Sequence, residues 1–266
     1  MKPFRYALIS LLLPLLLVAC AQQDDAAPTT TAPAAAPAVE HAPASAAAAA
    51  DTAGTDAPAQ TAPAQATTPQ GPAPVEGTHY VVVEDAQPLQ PLNGQIEVVE
   101  VFGYTCGACA SFDPLISAWE KRQPEDVRVT MLPAAFGGIW DTFAKAYYAA
   151  ESMDLAEATH GPMFRALHVD RSLSPQGLNT NVLAAFYAQH GADERRFAQT
   201  MESFAVAGQV RRAQQFAVAA GVDATPTMIV NGKYRVVSGQ DFQDVLRIVD
   251  HLVARERAAG GSDTAQ

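Results

Sequence analysis

Apolar and polar positions recur with different periods along the chain, and those periods separate strands, helices and a stretch that can be neither. Tyr80-Val81-Val82-Val83 is a short β-rich run. After the turn-like stretch Pro88 to Gly94, Ile96 to Phe102 reads as a strand buried over most of its length. A helix is predicted from Cys106 to about Arg122, with Phe112, Leu115, Ile116 and Trp119 on one face and Pro114 placed to kink it. Val127 to Leu132 is a third strand, and strand–helix–strand order points to a parallel βαβ unit. From Ala134 to about Ala207 the pattern is helical. Asp141 precedes a helix through Tyr148, and a second runs from Leu155 to His168 across Gly161-Pro162. Ser174-Pro175 begins a third, closed by Gly191, and Asp193 caps a fourth carrying Phe197, Met201 and Phe204. A further helix from Gln209 to Ala220 ends at Gly221.

Thr227 to Val230 and Tyr234 to Val237 flank Asn231-Gly232, a strong hairpin signal because both turn residues tolerate positive φ. Gln240 to about Arg257 is the last helix, its apolar face formed by Phe242, Val245, Leu246, Ile248, Val249 and Leu252. Strand–helix–strand, a helical block, then helix–hairpin–helix is an α/β layout, that of a thioredoxin-like fold with an inserted helical domain.

The first residues follow another rule. Lys2 and Arg5 precede an apolar run from Leu8 to Val18, broken by Ser10 and Pro14, which is the layout of a secretory signal and short for a bilayer span. It ends in Leu17-Val18-Ala19-Cys20, which resembles the lipobox of bacterial lipoproteins. That resemblance implies cleavage before Cys20, acylation of its sulfur and amino terminus, and a periplasmic protein anchored to the inner or outer membrane. Residues 21–75 are Ala, Pro, Thr and Gln with scattered acids, and their only large aliphatics are Val39 and Val75. Such a segment cannot bury a core, and as a coil it would reach roughly 40 Å. The expected organisation is a signal over 1–19, a disordered tether over 20–75, a folded domain over 76–257 with its insertion at about 134–207, and a disordered tail over 258–266.

Composition adds two constraints. The chain has 17 basic and 28 acidic residues, a net charge of −11, which argues against nucleic acid or an anionic lipid surface as the main partner. It has three cysteines. With Cys20 acylated, Cys106 and Cys109 remain. A disulfide between them would close so small a loop that it removes little chain entropy, so reactivity explains the pair better than stapling.

Cys106-Gly107-Ala108-Cys109 sits where a buried strand gives way to a helix. The first amides of a helix lack internal partners and its dipole favours negative charge there, so a thiol at that point ionises readily. Cys106 is therefore the expected nucleophile and Cys109, one turn later, the resolving thiol. A structural zinc site would need four ligands, and none of the six histidines forms an H-x3–5-H pair. A structural disulfide and a copper-carrying pair remain as alternatives.

Val99 to Cys109, with Phe112 and Pro114 behind, resembles the DsbA-type periplasmic oxidoreductases, as does Gly221 to Thr227 leading into Asn231-Gly232-Lys233-Tyr234. The resemblance covers about residues 78–256. It implies that Pro226 is a cis-proline beside the cysteine pair and that Thr225 offers backbone groups to an extended substrate. It also matches Glu100, six residues before Cys106, to an acid that helps move the resolving thiol's proton. The plain alternative for Glu100 is a strand carboxylate facing water. The resemblance implies reduced exported polypeptides as substrates, a quinone-linked membrane reoxidant of the DsbB type, no cofactor and a monomer. A reductase or isomerase of the same fold, and a copper-delivery module using the same thiols, are the competing functions.

Two departures modify this picture. Gly107 and Ala108 replace a histidine-containing pair, so the thiolate is expected to rest on backbone amides and the helix end alone, giving a weaker oxidant than the histidine-bearing relatives. Met131 stands where some relatives carry a lysine that pairs with the buried acid.

Overall fold

In the computed structural model the chain is described for residues 68–263 apart from Ala86. The signal, Cys20 and most of the tether lie outside the described residues. Five strands form one mixed sheet in the order β1-β5-β4-β2-β3. These are β1 (Tyr80–Val82), β2 (Ile96–Phe102), β3 (Val127–Pro133), β4 (Thr227–Val230) and β5 (Tyr234–Val236). β2 pairs in parallel with β3 and antiparallel with β4, and the Asn231-Gly232 turn joins β4 to β5. Helix α1 (Gly107–Glu120) provides the crossover between β2 and β3.

Every residue of β2 is buried, because helices cover both faces of the sheet at its centre. Ile96 and Val98 pack with Phe112, Ile116 and Trp119 of α1 and with Leu246, Val249 and Leu252 of α7 (Phe242–Asp263). Val99 and Val101 turn the other way, into a larger core built with the inserted helices. Those are α2 (Ile139–Glu151), α3 (Ala156–His168), α4 (Thr180–Ala188), α5 (Glu194–Met201) and α6 (Phe204–Ala219).

Several boundaries differ from the sequence reading. Ser174-Pro175 does not open a helix; α4 starts at Thr180, where the Asn179 side chain accepts from the amides of Asn181 and Val182 at 3.0 and 3.2 Å. Phe204 does not continue α5. Ser203 caps a new helix through the Val206 amide, which leaves Phe204 98% exposed at its first position, so α6 begins well before Gln209 and the insertion boundary near 207 falls inside it. The tether's end is not free to 75. Carbonyls of Gln70 and Pro72 accept from His251 and Arg247 on α7, and Pro74 is buried. At the other end α7 continues past Arg257 to Asp263, into the segment expected to be a disordered tail.

Candidate functional site

The chain leaves β2 through Gly103-Tyr104-Thr105 and enters α1 at Cys106. Gly103 allows that turn to pass beneath Trp140, since a Cβ there would lie 2.0 Å from the indole. Cys106 has extended backbone (φ −87°, ψ 112°) and takes the helix N-cap, its sulfur accepting the Cys109 amide at 3.3 Å. Sulfur thus fills the role usually held by a Ser or Asp oxygen. One turn later the same helix carries Cys109 into the core, where it is 0% exposed, while Cys106 is partly exposed and Gly107 and Ala108 face solvent. Both thiols are free.

The second motif arrives from the turn before β4. The Thr225–Pro226 peptide bond is cis, and the Cys106 thiol donates to the Thr225 carbonyl at 3.3 Å. Residues 119 positions apart in sequence therefore meet at one sulfur. The Cys106 thiol is lowered from 9.0 to about 5, chiefly by a hydrogen bond from the Cys109 thiol. The Thr225 side chain and the amides of Cys109 and Ala108 add to this, against the cost of partial burial. Support from two side chains corrects the expectation that amides and the helix end act alone. Cys109 moves far in the opposite direction, because its proton is held toward Cys106 and its sulfur is desolvated.

Glu100 is not a strand carboxylate facing water. It is 1% exposed, pairs in register with Met131 on β3 and Met228 on β4, and its Oε2 has no hydrogen-bond partner among the described residues. Burial raises its carboxyl well above the ordinary 4.5, and the charges of Asp113 and Cys106 add to that. The register sets Met131, rather than a cation, beside this acid. Three residues earlier, Glu97 is equally buried but accepts from Arg128 at 2.9 Å and from the amides of Leu89 and Gln90.

Sequence reasoning missed a polar group behind the cysteines. Asp113 stands one turn beyond Cys109 on α1, a spacing that could have drawn notice. His160 of α3 lies 47 positions further along; its Nε2 is 3.5 Å from Asp113 and its Nδ1 3.0 Å from the Tyr104 hydroxyl. Phe102, Tyr104, Tyr147 and Phe164 surround the imidazole, and this burial lowers it to about 4. His160 is therefore neutral near pH 7, and its contact with Asp113 is polar rather than an ion pair. Burial raises Asp113. Both side chains line a cavity of about 700 Å³ between α1 and α3.

A sheet with its helical insertion, and two thiols of opposite character at the start of a helix, fit one class of protein, and comparison with known proteins agrees. Residues 97–249 match the family model described as DSBA-like thioredoxin domain. The fold is thioredoxin-like with a helical insertion, and the protein is a protein thiol:disulfide oxidoreductase. The chain belongs to the DSBA-like thioredoxin domain family. It is 38% identical over 186 residues to the thiol:disulfide interchange protein DsbA of Pseudomonas aeruginosa, covering 69% of this chain and 86% of that one. The protein of the same name from Azotobacter vinelandii is 36% identical over 188 residues, covering 69% and 85%. The crystal structure of the oxidoreductase DsbA from Xylella fastidiosa superposes with a TM-score of 0.68 at 47% identity, covering 70% of this chain and 98% of that one.

Proposed function

We propose that the protein introduces disulfides into exported polypeptides in the periplasm through Cys106 and Cys109. In the oxidised enzyme a substrate thiolate attacks the Cys106 sulfur. The Cys106–Cys109 bond breaks, its electron pair passes to Cys109, and a mixed disulfide forms. A second substrate thiolate then displaces Cys106, leaving an oxidised substrate and a reduced enzyme. Thr225 and Pro226 form the edge along which an extended substrate segment lies. Glu100 exchanges the proton of the buried Cys109 thiol, since a carboxyl raised by burial holds a proton more readily than an ordinary carboxylate. A membrane partner of the DsbB type, linked to quinone, restores the disulfide. A lipid on Cys20 tethers the enzyme to a membrane.

The observation that carries this reading is the opposition of the two thiols. A Cys106 thiol held at about 5 favours the reduced enzyme, which makes the disulfide form an electron acceptor. The thiol state in intact cells, trapped by alkylation and read as a gel shift, tests the direction of flow. An oxidase is mostly disulfide; a mostly dithiol population would overturn the proposal in favour of a reductase. A Cys109→Ser variant should accumulate mixed disulfides with client polypeptides, whereas a copper carrier would accumulate none. A Cys20→Ser variant should leave the membrane fraction.

A further inference from the structure

A second histidine lies on the open side of Cys106, and its surroundings differ from those of His160. His168 is the last residue of α3 and is partly exposed. Its Nε2 lies 2.7 Å from the Tyr104 carbonyl. A carbonyl only accepts, so Nε2 carries the hydrogen and the lone pair of the neutral ring sits on Nδ1. None of the described residues is hydrogen-bonded to Nδ1. That atom lies 3.9 Å from the point a Cβ on Gly107 would occupy, and apart from the chain neighbours Cys106 and Ala108 and the backbone of α1 no other atom comes within 4 Å of that point. Gly107 directly follows Cys106, faces solvent and has no side chain of its own to stand between Nδ1 and the solvent side of the cysteine. A ring oriented by one nitrogen, with the other unbonded next to the residue that follows a reactive cysteine, is the arrangement of a general base.

We propose that His168 is a catalytic residue, the base that takes the proton from the incoming substrate thiol. The inference rests on the oxidase reading. An ordinary cysteine titrates near 8.5, so only a few per cent is thiolate at neutral pH and an unassisted attack is slow. Here the S–H proton passes to Nδ1 as the substrate sulfur bonds to Cys106. The Cys106–Cys109 bond breaks, and Cys109 receives its proton from the Glu100 carboxyl. The neighbouring ionisable groups are Cys106 across Gly107, the exposed Arg165 on the same helix, and the exposed Asp170 and Arg171 just after it. His160 cannot serve, because its ring is buried among Phe102, Tyr104 and Phe164 inside the core, with Nδ1 hydrogen-bonded to the Tyr104 hydroxyl.

The test uses the oxidised full chain and two reduced probes, a cysteine-containing peptide and an aromatic thiol already ionised at the working pH. His168→Gln and His168→Ala should slow peptide oxidation about tenfold near pH 6.5 and match the unmodified protein above roughly pH 9. The ionised thiol should react equally with all three proteins, and the equilibrium constant with glutathione should stay within about twofold, since a base lowers a barrier only. Unchanged peptide rates would overturn the assignment. So would a loss in His168→Ala alone, equal at every pH and for both thiols, because Gln can still donate to the Tyr104 carbonyl and the role would then be structural. A tenfold shift in the glutathione constant without the pH-dependent loss would make His168 a thiolate stabiliser and equally refute a base. If the unmodified protein fails to oxidise the peptide at all, the oxidase reading falls, and this inference with it.

Discussion

Replacing Glu100 by Gln removes a titrating group from the core while keeping its size, so the effect can be followed as stability against pH. The Glu100 carboxyl is raised well above 4.5 by burial, and it lies between Met131 and Met228 with no cation to offset its charge. In the unfolded chain it ionises around 4.5. Above that pH the folded state binds the proton more tightly than the unfolded state does, so stability falls as pH rises. The contribution is fully present below the unfolded value and is lost as pH climbs toward the folded one. The slope approaches about 1.4 kcal/mol per pH unit while the folded group stays protonated and the unfolded one is ionised. Glu100→Gln abolishes that term. The variant should match the parent near pH 4 and gain on it by about 1.4 kcal/mol for each unit above 5, until the folded carboxyl itself ionises.

Urea unfolding of the reduced protein and the variant, at half-unit steps from about pH 4 to 8, measures this difference directly. Burial also raises Glu120, Glu151 and Asp250 and lowers His160, but these groups titrate in both proteins and cancel in the subtraction, whereas Asp113 and Cys106, whose charges act on Glu100, are part of the difference measured. A difference that stays flat across the range would show that Glu100 ionises alike in the folded and unfolded states and is not held protonated by burial.

Other changes test other parts of the structure. The alkylation rate of Cys106 should rise through a titration near 5 and be flat by pH 7, because its thiolate is favoured above that value, while Cys109 stays unreactive; a rate still climbing through pH 8 would contradict the hydrogen bonding described here. Arg128→Met strips the cation from Glu97, which is 0% exposed, and should cost roughly 3 kcal/mol in urea unfolding, with much of it recovered in the double variant Arg128→Met, Glu97→Gln. Gly103→Ala places a methyl 2.0 Å from Trp140 and should cost about 1–3 kcal/mol and alter the tryptophan fluorescence; a neutral result would mean the indole moves aside freely.

The change from a continuous apolar strand to a helical period locates the start of α1 and with it the inequality of Cys106 and Cys109, because N-terminal amides and burial follow from position alone. The Asn231-Gly232 hairpin is readable for a similar local reason. Helix starts in the insertion are harder, since Ser174 and Asn179 are both able caps and the structure uses Asn179. Phe204 continues the apolar spacing of α5, yet the Ser203 hydroxyl turns the chain into a new helix and leaves that ring in water. The least legible part is what surrounds a buried acid. Glu97 and Glu100 look alike in Ile96-Glu97-Val98-Val99-Glu100, and only the fold brings Arg128 to one and methionines to the other. Tyr104, His160 and His168 are likewise joined by contacts across more than fifty positions, which no local spacing announces.

That contrast between two glutamates bears on mechanism. Glu97 has a cation and two amides, which is how folded proteins usually make a buried carboxylate tolerable. Glu100 has neither, so its site favours the protonated form at a cost to stability above pH 5. The geometry around Cys109 supplies a reason for such an arrangement. The helix start that exposes Cys106 to substrate also buries Cys109 completely, so any proton leaving or reaching that sulfur must be handled where bulk water has no direct access. An unpaired carboxyl raised by burial is suited to exchange that proton, and Asp113, whose charge acts on Glu100, lines with His160 the cavity of about 700 Å³. In the proposed reaction the asymmetry of the thiols therefore requires the asymmetry of the glutamates: a nucleophile kept ionised by hydrogen bonds at the surface, and a resolving thiol kept protonated in the core, need a carboxyl able to give that thiol its proton and take it back, and the fold has set no cation beside Glu100.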